Sequence, residues 1–183
     1  MAWEFDVLYW FQSIHNSVFD VIWPIITLFG AKGAFCAITS LLILIFVKDK
    51  RVGLTCIAAF VLDVLICNVT LKPIVMRDRP CWIDPSVILL VENPDDYSFP
   101  SGHTGIMFCW AMSIIQYNRK WGIAAVCLAC LVGISRLYLF VHFPTDVLVG
   151  AICGTIAAFI AGMLIRRFWP DIEKKLEKFK KTA

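Results

Sequence analysis

The chain has 183 residues, 60% of them hydrophobic, and a formal net charge of only +3. Soluble domains are usually about 45–50% apolar, so most of this chain is expected to face lipid, and so small a charge excludes a nucleic-acid partner. One domain over 1–183 suits the length, and the expected fold is all-α: a polytopic membrane helical bundle of about six transmembrane helices.

Residues 1–30 come first. Positions 3–29 are apolar but broken by Glu4, Asp6, the cluster His15, Asn16 and Ser17, Asp20 and Pro24. They read as an interfacial or first membrane segment, kinked if it spans. No cleavable signal peptide is expected, because a basic n-region ahead of a clean apolar core is missing. His15 reads as an interfacial residue, and Lys32, in the Gly-flanked turn FGAKGAF, as a loop charge. Apolar runs follow at 33–47, 53–71, 104–117, 122–141 and 144–165. A spanning helix takes about 20 residues, with a range of roughly 17–25. The second, fourth and fifth runs reach that alone, the other two with their flanks. Asp63 sits mid-run; an acid at membrane depth is a functional candidate by default, but it lies too deep for a pocket at the helix ends and is read as a buried inter-helix hydrogen bond. Most cysteines fall inside these runs, where a thiol acts as a small apolar group. Cys81 is expected unpaired in an outer loop.

Charge sets the orientation. Lys48, Lys50 and Arg51 form one short connector, Arg119 and Lys120 another, and Arg166 and Arg167 lead into a Lys-rich tail over 168–183. Short basic connectors stay in the cytoplasm, so alternation puts all three groups and the C-terminus there. The tail DIEKKLEKFKK reads as an amphipathic helix on anionic lipid or as a solvated charged end. Lys72, Arg77, Arg79 and Arg136 then fall on the extracytoplasmic side, where the positive-inside bias disfavours them.

Three stretches on that side carry the polar chemistry. In LKPIVMRDRP, Lys72 and Arg79 stand seven apart, two turns on one face if the helix is continuous, although Pro73 restricts the residue before it. The pair reads as an anion site or as two side chains snorkelling to the headgroups. In YSFPSGHTG, Ser101 suits an N-cap, Gly102 permits close backbone approach, and the first-turn N–H groups form an anion site. His103 stands beside them as a proton donor; the alternative is an ordinary capped helix. In SRLYLFVHFPTD, Arg136 ends one run while His142 and Asp146 flank the start of the next, with Pro144 suited to a first helical turn. A spacing of four puts the Asp146 carboxylate under the His142 ring, as an orienter for a nucleophilic imidazole or as a helix cap. Residues 82–97 link the first two stretches, as a membrane-resting lip or as mere connection.

Together the stretches gather three cations, a helix N-terminus, two histidines and an aspartate, a set suited to a phosphoryl group in transfer. The motifs KPIVMRDRP, PSGH and SRLYLFVHFPTD, within 72–146, resemble those of the type 2 phosphatidic acid phosphatase family, membrane relatives of the vanadium haloperoxidases. The resemblance implies His142 as nucleophile through a phosphohistidine, Asp146 as its orienting partner and His103 as general acid. It implies phosphate binding by Lys72, Arg79, Ser101, Gly102 and Arg136, with no metal and no cofactor. The expected partners are a lipid phosphate substrate and membrane lipids; the expected place is the cell membrane. With a bacterial source, which the short loops suggest, the resemblance points to undecaprenyl diphosphate. Phosphatidic acid and phosphatidylglycerophosphate are the alternatives. A non-catalytic phosphate-binding transporter or scaffold is the rival class, but transporters usually show internal repeats and broken midplane helices, and no repeat is present here.

Overall fold

The structure, a computed structural model, describes residues 2–182, with side chains as far as Lys174. The tail lysines beyond that position, read above as lipid-facing or solvated, lie outside the described side chains. Among the described residues every regular element is helical. The stretches Phe19–Phe46, Lys50–Ile83, Arg119–Tyr138 and Pro144–Lys174 are long and apolar enough to cross a membrane, and Gly102–Ile115 is a shorter apolar helix.

In chain order, α1 is Ala2–Ser13, α2 is Phe19–Thr27 and α3 is Ala34–Phe46. Ala31 is extended and Lys32 and Gly33 are left-handed, with φ of 50° and 67°. The first long stretch is therefore broken there, as its Gly-flanked turn requires. Asp20 accepts the Tyr138 hydroxyl at 2.6 Å and Thr27 accepts from Arg136 at 2.6 Å, so both ends of α2 meet the same region. α1 joins them: the Gln12 side chain donates to the Tyr138 carbonyl at 3.1 Å.

α4, Lys50–Asp63, opens on Asp49, whose carboxylate accepts the Arg51 N–H. It passes into wider π-type turns over Val64–Leu71 and then α5, Lys72–Val75. Pro73 has no N–H to offer the preceding turn, and such distortions are the usual response. Met76, at φ 44°, ends α5, and Arg79 follows in extended backbone before α6, Pro80–Ile83. Lys72 and Arg79 therefore do not share one helix face: the helix is broken between them.

α7, Gly102–Ile115, is buried along most of its length between α8, Arg119–Tyr138, and α9, Pro144–Thr182. Helices in lipid associate through small residues that let backbones approach. A Cβ at Gly154 of α9 would stand 2.2 Å from the Gly105 carbonyl oxygen of α7, and one at Gly150 2.5 Å from the Ser101 carbonyl. Ala157, Ala158 and Ala161 continue the same buried stripe. This contact fixes the starts of α7 and α9 side by side; the Ser101 N–H donates to the Asp146 carbonyl at 3.0 Å. At the opposite end the basic connectors meet: Arg51 lies over the Tyr117 and Trp169 rings, and Arg166 donates to Gln116 at 3.0 Å. Asp63 is buried, but its visible bond runs within its own segment, from the Cys67 thiol at 3.4 Å, rather than between helices.

Candidate active site

The end of α2 with the turn after it, the start of α5, the start of α7, the last turn of α8 and the turn before α9 surround a cavity of about 790 Å³. Lys72, Arg79, Gly102, His103, Arg136 and His142 all line it. Three stretches far apart in sequence thus converge as their chemistry requires.

His142 lies in the turn between α8 and α9 and is 1% exposed. Its Nε2 stands 3.2 Å from Arg79 Nη1. An arginine can only donate, so Nε2 is the acceptor and Nδ1 carries the proton. Burial, joined by the Arg79, Arg136 and Lys72 cations, pushes the imidazole well below its ordinary pKa. The ring is neutral at physiological pH, with a lone pair at Nε2.

Asp146 combines the two readings given to it, near the His142 ring and capping the turn. Its Oδ2 is 3.7 Å from His142 Nδ1, beyond hydrogen-bond range. The Ser98 hydroxyl stands between: it donates to Asp146 Oδ2 and lies 3.4 Å from Nδ1. Oδ2 also accepts the Phe143 N–H at 2.8 Å, and Oδ1 accepts from Arg77 at 2.7 Å. Asp146 therefore caps the turn that carries His142 and reaches the ring through Ser98.

The cations are held firmly. Arg79 donates to the Val141 carbonyl at 2.7 Å, to the Asp96 carbonyl at 2.6 Å and to the Asp96 carboxylate at 2.5 Å. Lys72 pairs with the other Asp96 oxygen. Burial alone would raise the Asp96 carboxyl, but Lys72 and Arg79 outweigh it and bring it down to about 2. Arg136 is buried and gives Nη1 to Thr27, while its Nε has no partner among the described residues. Ser101 precedes α7 but does not cap it; its hydroxyl pairs with Thr104 Oγ1 at 3.0 Å. The first N–H groups of α7 thus receive no side-chain cap from it. His103 is backed by Gly30, where a Cβ would come within 2.9 Å of the ring.

Two expectations change. Lys32 is not a bystander in its loop, since it lines the cavity. Cys81, free as expected, is buried in the short helix α6 and not in a loop, with its thiol 3.6 Å from Asn93 Oδ1. The 82–97 connection folds back on itself, Trp82 donating to Asn93 and to the Pro94 carbonyl, and residues 91–96 wall the cavity. Sequence reasoning missed Ser98, Asp96 and a role for Arg77. The first two lie just upstream of the PSGH motif, and Arg77 was visible only as a cation on the disfavoured side. Groups of three or more His, Cys, Asp or Glu able to hold a metal are absent among the described residues. The arrangement can hold a tetrahedral oxyanion between three cations and a helix start, with an imidazole nitrogen facing it.

Residues 52–170 match a family described as the PAP2 superfamily. A protein of Sulfolobus acidocaldarius named undecaprenyl-diphosphatase is 33% identical over 134 residues, 73% of this chain and 64% of that protein. The chain thus spans less than two thirds of the Sulfolobus protein's length. Undecaprenyl-diphosphatase BcrC of Bacillus subtilis is 34% identical over 164 residues, 85% of this chain and 78% of the relative. The crystal structure of a transmembrane PAP2-type phosphatidylglycerolphosphate phosphatase from Bacillus subtilis superposes with a TM-score of 0.76 at 27% identity, covering 91% of this chain and 86% of that one.

Proposed function

Because this chain belongs to the PAP2 superfamily, we propose that it is an integral membrane lipid phosphatase. It removes the terminal phosphate of a lipid phosphate or diphosphate through a phosphohistidine. The observation that carries this reading is the neutral, buried His142, whose Nε2 faces a cavity lined by Lys72, Arg79, Arg136 and the start of α7.

In this mechanism the substrate phosphate lies among those three cations and the free N–H groups of Gly102 and His103. The incoming phosphate's negative charge favours protonation of His103; Nε2 of His142 then attacks phosphorus, the P–O bond to the leaving group breaks, and the protonated His103 gives that oxygen its proton. The ring then carries phosphate at Nε2 and a proton at Nδ1; Ser98 and Asp146 hold that proton side and balance the new positive charge. Water, deprotonated by His103, next attacks the phosphohistidine, and orthophosphate leaves. No step needs a metal.

For the substrate we favour undecaprenyl diphosphate, supported by the names of the Sulfolobus and Bacillus relatives. Phosphatidylglycerophosphate is the second reading, supported by the solved structure that superposes on this chain. The site is proposed to face the extracytoplasmic side, with the basic connectors and the C-terminus in the cytoplasm. α1 and α2, gathered at the site end, are proposed to rest at the membrane interface.

The test uses purified protein in one detergent. Turnover of undecaprenyl or farnesyl diphosphate is compared with phosphatidic acid and phosphatidylglycerophosphate, for wild type and His142→Ala. Wild type should form an acid-labile phosphoenzyme. His142→Ala should lack it and lose roughly 10³-fold or more in kcat. Undiminished turnover in that variant would overturn the mechanism. A tenfold preference for a glycerophospholipid in kcat/KM, about 1.4 kcal/mol of transition-state binding, would replace the diphosphate substrate and leave the phosphatase standing.

A further inference from the structure

We propose that Glu4 of α1 and Arg77 are positioning residues for the His142–Asp146 pair, so that the N-terminal helix is a working part of the site. This rests on the phosphatase reading above.

Arg77 holds Asp146 from two directions. Its Nη1 donates to Asp146 Oδ1 and to Thr145 Oγ1, both at 2.7 Å. Its own carbonyl accepts the Ser98 N–H at 2.8 Å, and Ser98 in turn donates its hydroxyl to Asp146 Oδ2. The guanidinium lies 4.0 Å from the centre of the Phe143 ring. One residue therefore sets the place of both groups that face His142 Nδ1.

A cation this close to Asp146 raises a difficulty. It cancels the negative charge that should support His142 once the ring is phosphorylated. Glu4 removes the difficulty. Its Oε2 accepts from Arg77 Nη2 at 2.6 Å, and its Oε1 accepts from Thr145 at 2.6 Å. Glu4 is 4% exposed and Asp146 is fully buried. A buried carboxylate is costly unless paired, so the two acids and the arginine act as one set. With both acids ionised the set carries a net single negative charge, placed behind Ser98 and next to His142. The same helix packs on the turn that bears the histidine: Phe5 meets the Phe140 and Phe143 rings at 6.3 Å and 5.3 Å, and Tyr9 meets Phe140 at 5.7 Å. Phe140 is left-handed, at φ 58°; such a conformation in a bulky residue persists only when its surroundings impose it. α1 supplies part of those surroundings.

Charge and structure predict different outcomes for a double substitution. Glu4→Gln leaves Arg77 and Asp146 as a neutral pair, and kcat should fall about tenfold or more with KM changed less than about twofold. Glu4→Gln combined with Arg77→Gln returns the set to one negative charge, and its kcat should exceed that of Glu4→Gln alone. Glu4→Asp, which keeps the charge, should retain more kcat than Glu4→Gln. Thermal unfolding in detergent is measured for each variant alongside wild type and His142→Ala. A double variant no more active than Glu4→Gln alone would mean that the contact is structural only and would overturn the proposal, and unfolding temperatures falling in parallel would give the structural cause. So would full kcat in Glu4→Gln. If wild type turns over no lipid phosphate, the phosphatase reading itself fails and the positioning role with it. If wild type is active and His142→Ala is dead, that reading stands, and the Glu4 and Arg77 variants alone decide.

Discussion

Asp96 shows how one side chain sets the resting state of the site. Its carboxylate joins Lys72 to Arg79, two of the three cations proposed to receive phosphate. The side chain is 51% exposed, so it can swing aside, and a substrate phosphate must compete with it. Its carboxyl, brought to about 2 by those cations against the opposing effect of burial, lies below the ordinary carboxylate value. The pair's contribution to stability is therefore complete above the unfolded pKa of about 3.9 and disappears as pH falls through about 2. Between pH 5 and 8 Asp96 stays ionised, so any pH dependence of the competition there comes from the phosphate, whose second ionisation lies at about pH 6. Asp96→Asn removes the competing charge while keeping the shape. The inhibition constant of orthophosphate, or of vanadate, should fall about five- to tenfold, roughly 1 kcal/mol, and product release should slow kcat. Unchanged inhibition in Asp96→Asn would mean that the carboxylate only braces Arg79.

At the scale of elements, the contact between α7 and α9 matters most, because it sets PSGH beside the His142 turn. Gly154 cannot carry even a methyl group without meeting the Gly105 carbonyl oxygen at 2.2 Å, and backbone, unlike a side-chain tip, cannot turn away. Gly154→Ala should destabilise the protein by about 3 kcal/mol, the upper end for overpacking, and should reduce activity by parting Ser101 from Asp146. Gly133→Ala is the comparison, since its Cβ would meet side chains and no backbone, Val147 at 3.2 Å and Thr104 at 3.6 Å. Thermal unfolding in detergent checks both; equal unfolding temperatures for the two variants would show that the helices have room to separate. Apolar periodicity revealed these helices but not their closeness, because glycines spaced by four read equally well as lipid-facing small residues.

For the whole molecule, the site and the basic connectors lie at opposite ends. Arg51 and Arg166 converge on Tyr117 at one end, while the cavity closes the other. A fluorescent protein that matures only in the cytoplasm, fused after the last residue, should fluoresce, and a secreted reporter at the same place should be inactive. The reverse pattern would turn the molecule over and put the cavity on the cytoplasmic face. Thiol labelling of Cys81 is a poor probe of this topology, since that side chain is buried beneath Trp82 and the 82–97 connection.

The sequence by itself determined the all-helical membrane fold and named the residues proposed to bind phosphate. Runs of apolar residues long enough to cross lipid admit little else, and Lys72, Arg79, Arg136, His103, His142 and Asp146 are residue types whose chemistry can be read without coordinates. Only the tertiary structure decided what stands between and behind them. The helix break at Met76 took Lys72 and Arg79 off a shared helix face and yet left both on Asp96. Ser98 came between Asp146 and His142, a placement that depends on the Arg77 carbonyl and not on a spacing of four. Glu4 lies 142 residues from Asp146 and reads locally as a break in an apolar segment. Its partner is set by how α1 folds across the ends of α8 and α9, and long-range packing of that kind leaves no periodic trace in the chain.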